Sequence, residues 1–142
     1  IKGLDTPDGV DPGARRDELW RSTCFECFVS RKDSHGYLEA NFTARRDWAA
    51  YQFSKYRDGM TNADIGSPQI RSATHANSFS LSAAFDLPDG FDLTDELVCG
   101  ITAVIETQSG DVSYWALEHP RKKPDFHDKK AFKHIIIPWK MS

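Results

Sequence analysis

A period of two runs through most of the chain. Within residues 20–29, Phe25, Cys27 and Val29 share an apolar face, and Ser22, Cys24, Glu26 and Phe28 share a mixed one. That alternation predicts a half-buried strand. SRKDSHG at 30–36 reads as a hairpin loop. Across 37–43, Leu38, Ala40 and Phe42 oppose Tyr37, Glu39, Asn41 and Thr43. Residues 48–57 carry two patterns: Trp48, Tyr51 and Lys55 are helically spaced, whereas a strand would set Ala49, Tyr51 and Phe53 against Trp48, Ala50, Gln52, Ser54 and Tyr56. Aromatic density favours the strand. A long loop is expected at 58–68, then strands at 69–74 and 78–87, the second with Phe79, Leu81, Ala83 and Phe85 on one side. Residues 97–107 and 112–118 form the clearest hairpin, turning at Gln108-Ser109-Gly110-Asp111, and a last strand is expected at 134–137. About eight short strands with regular turn signals predict an all-β fold, an antiparallel β-sandwich. Residues 1–18, with Pro7, Gly9, Pro12 and Gly13, read as a loop or linker from an upstream segment, and 19–142 as the domain.

Composition narrows the function classes. The chain has 142 residues, 39% hydrophobic and 27% charged, with a net charge of -3. This is the make-up of one globular domain with a real core, and it lacks the basic balance of a general nucleic-acid binder. The longest apolar run, HIIIPW, is strand-sized, so no membrane span is expected. No secretory signal pattern opens the chain. Gly-rich phosphate loops and nucleophile elbows are absent from the sequence. Cys24 and Cys27 form a C-x-x-C, but on a strand residues three apart face opposite ways, which rules out joint chelation. No metal site is expected. Asn41-Phe42-Thr43 fits a glycosylation sequon, but a strand with Phe42 inward is a poor acceptor.

Several blocks in order carry a family resemblance. Leu19-Trp20-Arg21-Ser22-Thr23-Cys24-Phe25-Glu26, Tyr37 to Phe42, Trp48-Ala49-Ala50-Tyr51 and Tyr56-Arg57-Asp58-Gly59-Met60 are followed by Tyr114 to Pro120 and Pro124-Asp125-Phe126-His127. Together they resemble the bacterial DOMON-like domain proteins. The resemblance implies an immunoglobulin-like β-sandwich related to DOMON domains and to family-nine carbohydrate-binding modules, which bind a sugar or a haem and catalyse nothing by themselves. It also implies strands ahead of Leu19 that are missing from this chain, which would leave an open sheet edge and a route to an oligomer.

Candidate chemistry follows from these two readings. Sugar binding needs flat aromatic rings and planar polar groups: Trp48, Tyr56 and Trp115 supply rings, and Glu26, Glu39, Asn41, Arg57, His119, Asp125 and His127 supply polar contacts. Against this, a tryptophan in a strand is more often a core residue of the sandwich, and Trp20, Trp48 and Trp115 each fit that reading. Paired carboxylates could serve a glycosidase, but no catalytic constellation is assigned. A haem, the alternative cofactor where none is expected, would need axial ligands from Met60, His75, His119 or His127. The basic loop around Arg121 to Lys130 suits an anion or a partner surface. The expectation is a non-catalytic module for a carbohydrate or similar polyol. The alternatives are a haem-binding DOMON domain and a protein-interaction module without a small ligand.

Overall fold

The computed structural model describes residues 1–4, 13–91 and 96–136. The end of the last expected strand at Ile137, part of the 88–96 turn and residues 5–12 of the N-terminal loop lie outside these. The described residues form nine strands and two single-turn 3₁₀ helices, at Leu19–Arg21 and Lys129–Ala131. In chain order the strands are β1 (Cys24–Arg31), β2 (Tyr37–Phe42), β3 (Trp48–Phe53), β4 (Thr61–Asn62), β5 (Gln69–His75), β6 (Ser78–Ala84), β7 (Leu97–Glu106), β8 (Val112–Ala116) and β9 (His134–Ile136). Every pairing between them is antiparallel, so the protein is an all-β antiparallel sandwich.

The larger, seven-stranded sheet runs β4-β3-β2-β1-β7-β8, with β9 on the same side of β7 as β8. Thr102 to Glu106 pair with β8, and Leu97 to Cys99 with β9. The smaller sheet is the β5-β6 hairpin. Residues 48–53 are strand, as aromatic density favours, and pair with β2 in register from Tyr37↔Phe53 to Phe42↔Trp48. No helix among the described residues is long and apolar enough to cross a membrane.

Registers show which residues share a face. Glu26 stands opposite Asn41 and Thr102, and Phe28 opposite Glu39 and Gly100. Glu26, Phe28, Tyr37, Glu39, Asn41, Tyr51, Phe53, Thr102, Val104 and Tyr114 therefore lie on one face, called here the site face. Leu38, Ala40, Phe42, Trp48 and Trp115 lie on the other. That second face packs under the hairpin: Ala40, Phe42 and Ile70 cluster with Leu81, Ala83 and Phe85, and Phe25 stacks on Phe79 at 5.6 Å. All six residues of β2 are buried, Asn41 completely, because both faces of this central strand are covered.

On the site face the cover is the segment between β8 and β9. Phe132 stacks on Phe28 at 5.5 Å, and it can do so because position 100 is glycine. A Cβ there would sit 3.0 Å from the Phe132 ring. The aromatic cluster continues through Tyr37 and Phe53, stacked at 4.8 Å. His127 meets Phe28, Phe53 and Tyr37 edge-on at 5.3, 5.2 and 5.8 Å.

The start of β1 differs from the alternation read over 20–29. Glu18 adopts a left-handed backbone (φ 61°) and Arg21 N–H bonds Glu18 O, so Leu19–Arg21 turns away from the sheet before β1 begins. The turn lifts Trp20 over the site face, edge-on to Tyr51 at 5.7 Å. Upstream, Gly13 to Asp17 runs beside β3. Arg16 N–H donates to Trp48 O, Trp48 N–H to Ala14 O, and the Arg15 guanidinium to Ala50 O and Ala63 O. Gly13 is required at this crossing, since a Cβ would lie 2.3 Å from the Arg46 carbonyl. At the opposite margin β8 is an edge strand with Val112, Tyr114 and Trp115 exposed.

Candidate ligand site

The site face holds a cavity of about 380 Å³ whose floor is Glu26 of β1 and Glu39 of β2. Trp20, Phe53, Tyr114 and Phe126 form aromatic walls, and Arg57, Met60 and His127 come from loops. The volume suits a small ligand of one or two rings.

The floor is polar and almost dry. Glu26 is 5% exposed and Glu39 4%. Thr102 Oγ1 donates to Glu26 Oε2 at 3.0 Å, and Asn41 Nδ2 donates to Glu39 Oε1 at 2.8 Å. Burial, then the charge of Glu39, pushes Glu26 up to about 7 against the pull of the Thr102 hydroxyl. Burial also raises Glu39, while the Asn41 amide and the Arg57 charge oppose the rise. Two carboxylates this desolvated, one acting on the other through its charge, do not both ionise freely, so near neutral pH the pair retains a proton in part. Asn41 Oδ1 is fully buried and has no hydrogen-bond partner among the described residues. An unmet buried acceptor of that kind is costly.

One wall is a relay of hydrogen bonds. Arg57, held at φ 53° in the left-handed region, gives its N–H to Tyr37 Oη at 3.1 Å. Tyr37 Oη accepts there and shares a second hydrogen bond with His127 Nδ1, 2.8 Å away. Burial first, and the Arg57 charge second, hold His127 down to about 4. The ring is neutral near pH 7, and its Nε2 lies 3.7 Å from Glu39 Oε2. The side chain of Arg57 donates to Asp125 Oδ1 at 3.1 Å, and Tyr56 Oη donates to Asp125 Oδ2 at 2.5 Å. Those bonds and the Arg57 and Arg121 charges keep Asp125 below the usual carboxylate range, although burial alone would raise it.

Seven residues singled out from sequence thus meet here: Glu26, Glu39, Asn41, Tyr56, Arg57, Asp125 and His127. The other three stand elsewhere. Trp48 is half-buried on the opposite face with Arg15 5.2 Å over its ring, and it packs against Ala40 and Phe42. Trp115, 63% exposed, borders a wider apolar groove of about 670 Å³ beside Phe79, Ile101 and Leu117. His119 packs on the outer side of Phe126 at 6.2 Å. Trp20, Tyr37, Phe53, Thr102, Tyr114 and Phe126 join the site without having been singled out for it. Tyr37 was accessible from spacing alone, since it shares its strand face with Glu39 and Asn41.

A haem fits poorly. Met60 and His127 both line the cavity, but His127 Nδ1 is held by Tyr37 and Nε2 faces Glu39. The acid pair occupies the floor where an apolar porphyrin face would lie. His75 is at the far hairpin. No group of three or more metal-ligating side chains occurs among the described residues.

Fold and site together define a β-sandwich with an acidic, aromatic-walled pocket on one sheet face. No family model matches the chain, and no curated protein matches it. Among solved structures it is similar to a candidate carbohydrate-binding protein from Bacteroides uniformis, with a TM-score of 0.59 and 13% identity, over 87% of this chain. The likeness establishes the fold, and the chain spans 65% of that protein's length.

Proposed function

We propose that this protein is a non-catalytic module that binds a carbohydrate or similar polyol on the site face. The carrying observation is the floor of Glu26 and Glu39, the latter held from behind by the Asn41 amide, beneath aromatic walls. Sugar hydroxyls donate to carboxylate and amide oxygens, and the apolar face of a pyranose stacks on a ring such as Trp20 or Tyr114. The fold shared with the Bacteroides uniformis protein and the resemblance to DOMON-like sequences support the same reading.

A thermal-shift screen against mono- and oligosaccharides tests it. A ligand at about 100 times its Kd stabilises by about 2.7 kcal/mol, a rise of several degrees for a domain this size. The expected result is a sugar-specific rise that Trp20→Ala abolishes. A flat screen rejects the proposal, and a haemin-specific rise with a new Soret band replaces it with the haem reading. A carboxyl near pKa 7 beside a second carboxylate is also the pairing of a glycosidase. Product analysis after long incubation with each binding oligosaccharide is expected to find no hydrolysis, and released sugar would overturn the non-catalytic assignment.

A further inference from the structure

The charge of the cavity goes beyond what a neutral sugar requires. Glu26 and Glu39 are bonded only by neutral donors, Thr102 and Asn41. The nearest cation is Arg57, whose guanidinium is already paired with Asp125 at 3.1 Å. His127 is uncharged, and no lysine lines the cavity. Counting Glu26, Glu39 and Asp125 against Arg57, the site has an excess of negative charge in a place shielded from water. A buried charge without a counter-charge is costly, and in the free protein the pair relieves that cost by retaining a proton.

A neutral hydroxyl could donate one hydrogen bond to this floor but could not balance it. An ammonium brings three donors and the missing charge. It would let both carboxylates ionise. The walls suit the same group, because Trp20, Phe53, Tyr114 and Phe126 present ring surfaces that attract a cation.

We propose that the ligand is a sugar bearing a free protonated amine, an amino sugar or a polymer of amino sugars, with its ammonium seated between Glu26 and Glu39. This rests on the carbohydrate-binding reading and narrows it to one substrate class. Binding moves a proton as well: the ammonium enters, and the proton shared by the acid pair leaves to solvent. The groups facing the pair are Cys24 on β1, Tyr37 and Asn41 on β2, Thr102 on β7, Arg57 and His127, and none of them takes up that proton: burial pushes the Cys24 thiol and the Tyr37 phenol up so that both already hold theirs, Arg57 is already charged, and burial holds His127 near 4.

The test is isothermal titration calorimetry of the full chain at pH 7 and low ionic strength with matched pairs. Glucosamine and galactosamine are compared with glucose and galactose, chitosan oligomers with chitin oligomers, and ethanolamine serves as an amine without a sugar. The expected result is at least tenfold tighter binding of the amino member of a pair. Proton release should appear as a binding heat that changes with the ionisation enthalpy of the buffer. Glu39→Gln, and independently Glu26→Gln, should erase the difference within the pair, so the test survives one variant failing to fold. Equal or tighter binding of the neutral members overturns this inference and leaves the carbohydrate-binding reading standing. Binding of ethanolamine as tight as any amino sugar, or no binding of any sugar, overturns both.

Discussion

Glu26 and Glu39 sit on adjacent central strands, and their titration dominates the chemistry of the floor. Glu26 is held at about 7 against an ordinary 4.5. Between those pH values the folded protein keeps a proton that the unfolded chain has released, so the Glu26 contribution to stability is full below about pH 4.5 and is lost as pH rises through 7. His127, held near 4 against 6.5, acts in the opposite sense. The unfolded chain takes up a proton that the folded chain refuses, so this contribution grows as pH rises from 4 to 6.5. The two slopes oppose each other over most of the same window in the wild type. Glu26→Gln removes one of them. Urea unfolding should show the variant gaining about 3 kcal/mol on wild type between pH 4.5 and 7.5, with its own stability now rising towards pH 6.5. A constant difference between the two proteins across that range would show that Glu26 titrates normally.

At the scale of elements, the segment between β8 and β9 turns a sheet face into a pocket. It carries Asp125, Phe126 and His127 into the site, and it is anchored where Phe132 enters the space above Gly100. Gly100→Val would drive the ring out. Destabilisation of about 1–3 kcal/mol is expected, together with weaker sugar binding, because the His127 and Phe126 walls move with the anchor. Unfolding curves and calorimetry on the one variant measure both effects, and an unchanged affinity would detach the anchor from the site. The Leu19–Arg21 turn does the same work at the other side, since it alone brings Trp20 over the floor. Neither element was legible as such. The tryptophan appeared to continue the alternation of β1, and the 119–130 loop read as a basic segment for an anion or a partner surface, with Asp125 and His127 as candidate contacts but no sign of how it folds over the sheet.

At the scale of the molecule, the two faces divide the aromatic residues between packing and binding. Trp48 lies under the smaller sheet and helps hold the two sheets together, so Trp48→Ala should cost about 2 kcal/mol or more and spare sugar binding in the protein that remains folded. Trp115 shares that face with Trp48 but stands at the β8 margin, 63% exposed. Its alanine variant should stay within about 0.5 kcal/mol of wild type with affinity intact. Thermal unfolding and calorimetry across Trp20, Trp48 and Trp115 variants separate the faces, and loss of binding in Trp115→Ala would move the site to the apolar groove.

The sequence by itself determined the strands, their faces and the class of fold, because burial on a pleated surface writes a period of two into the residue order. It also determined that Glu39 and Asn41 point the same way, a consequence of that period within one strand. Which strand lies beside which is not written in any period. Only the tertiary structure decided that Glu26 meets Glu39 across β1 and β2, that Asp125 and His127 fold back over them from about ninety residues away, and that Trp20 and Phe126, not Trp48 and Trp115, face the floor. The physical reason is range: alternation is a local property of the backbone, whereas the pocket depends on strand register, on the ring that Gly100 admits and on a left-handed turn at Glu18, each set by contacts between distant parts of the chain.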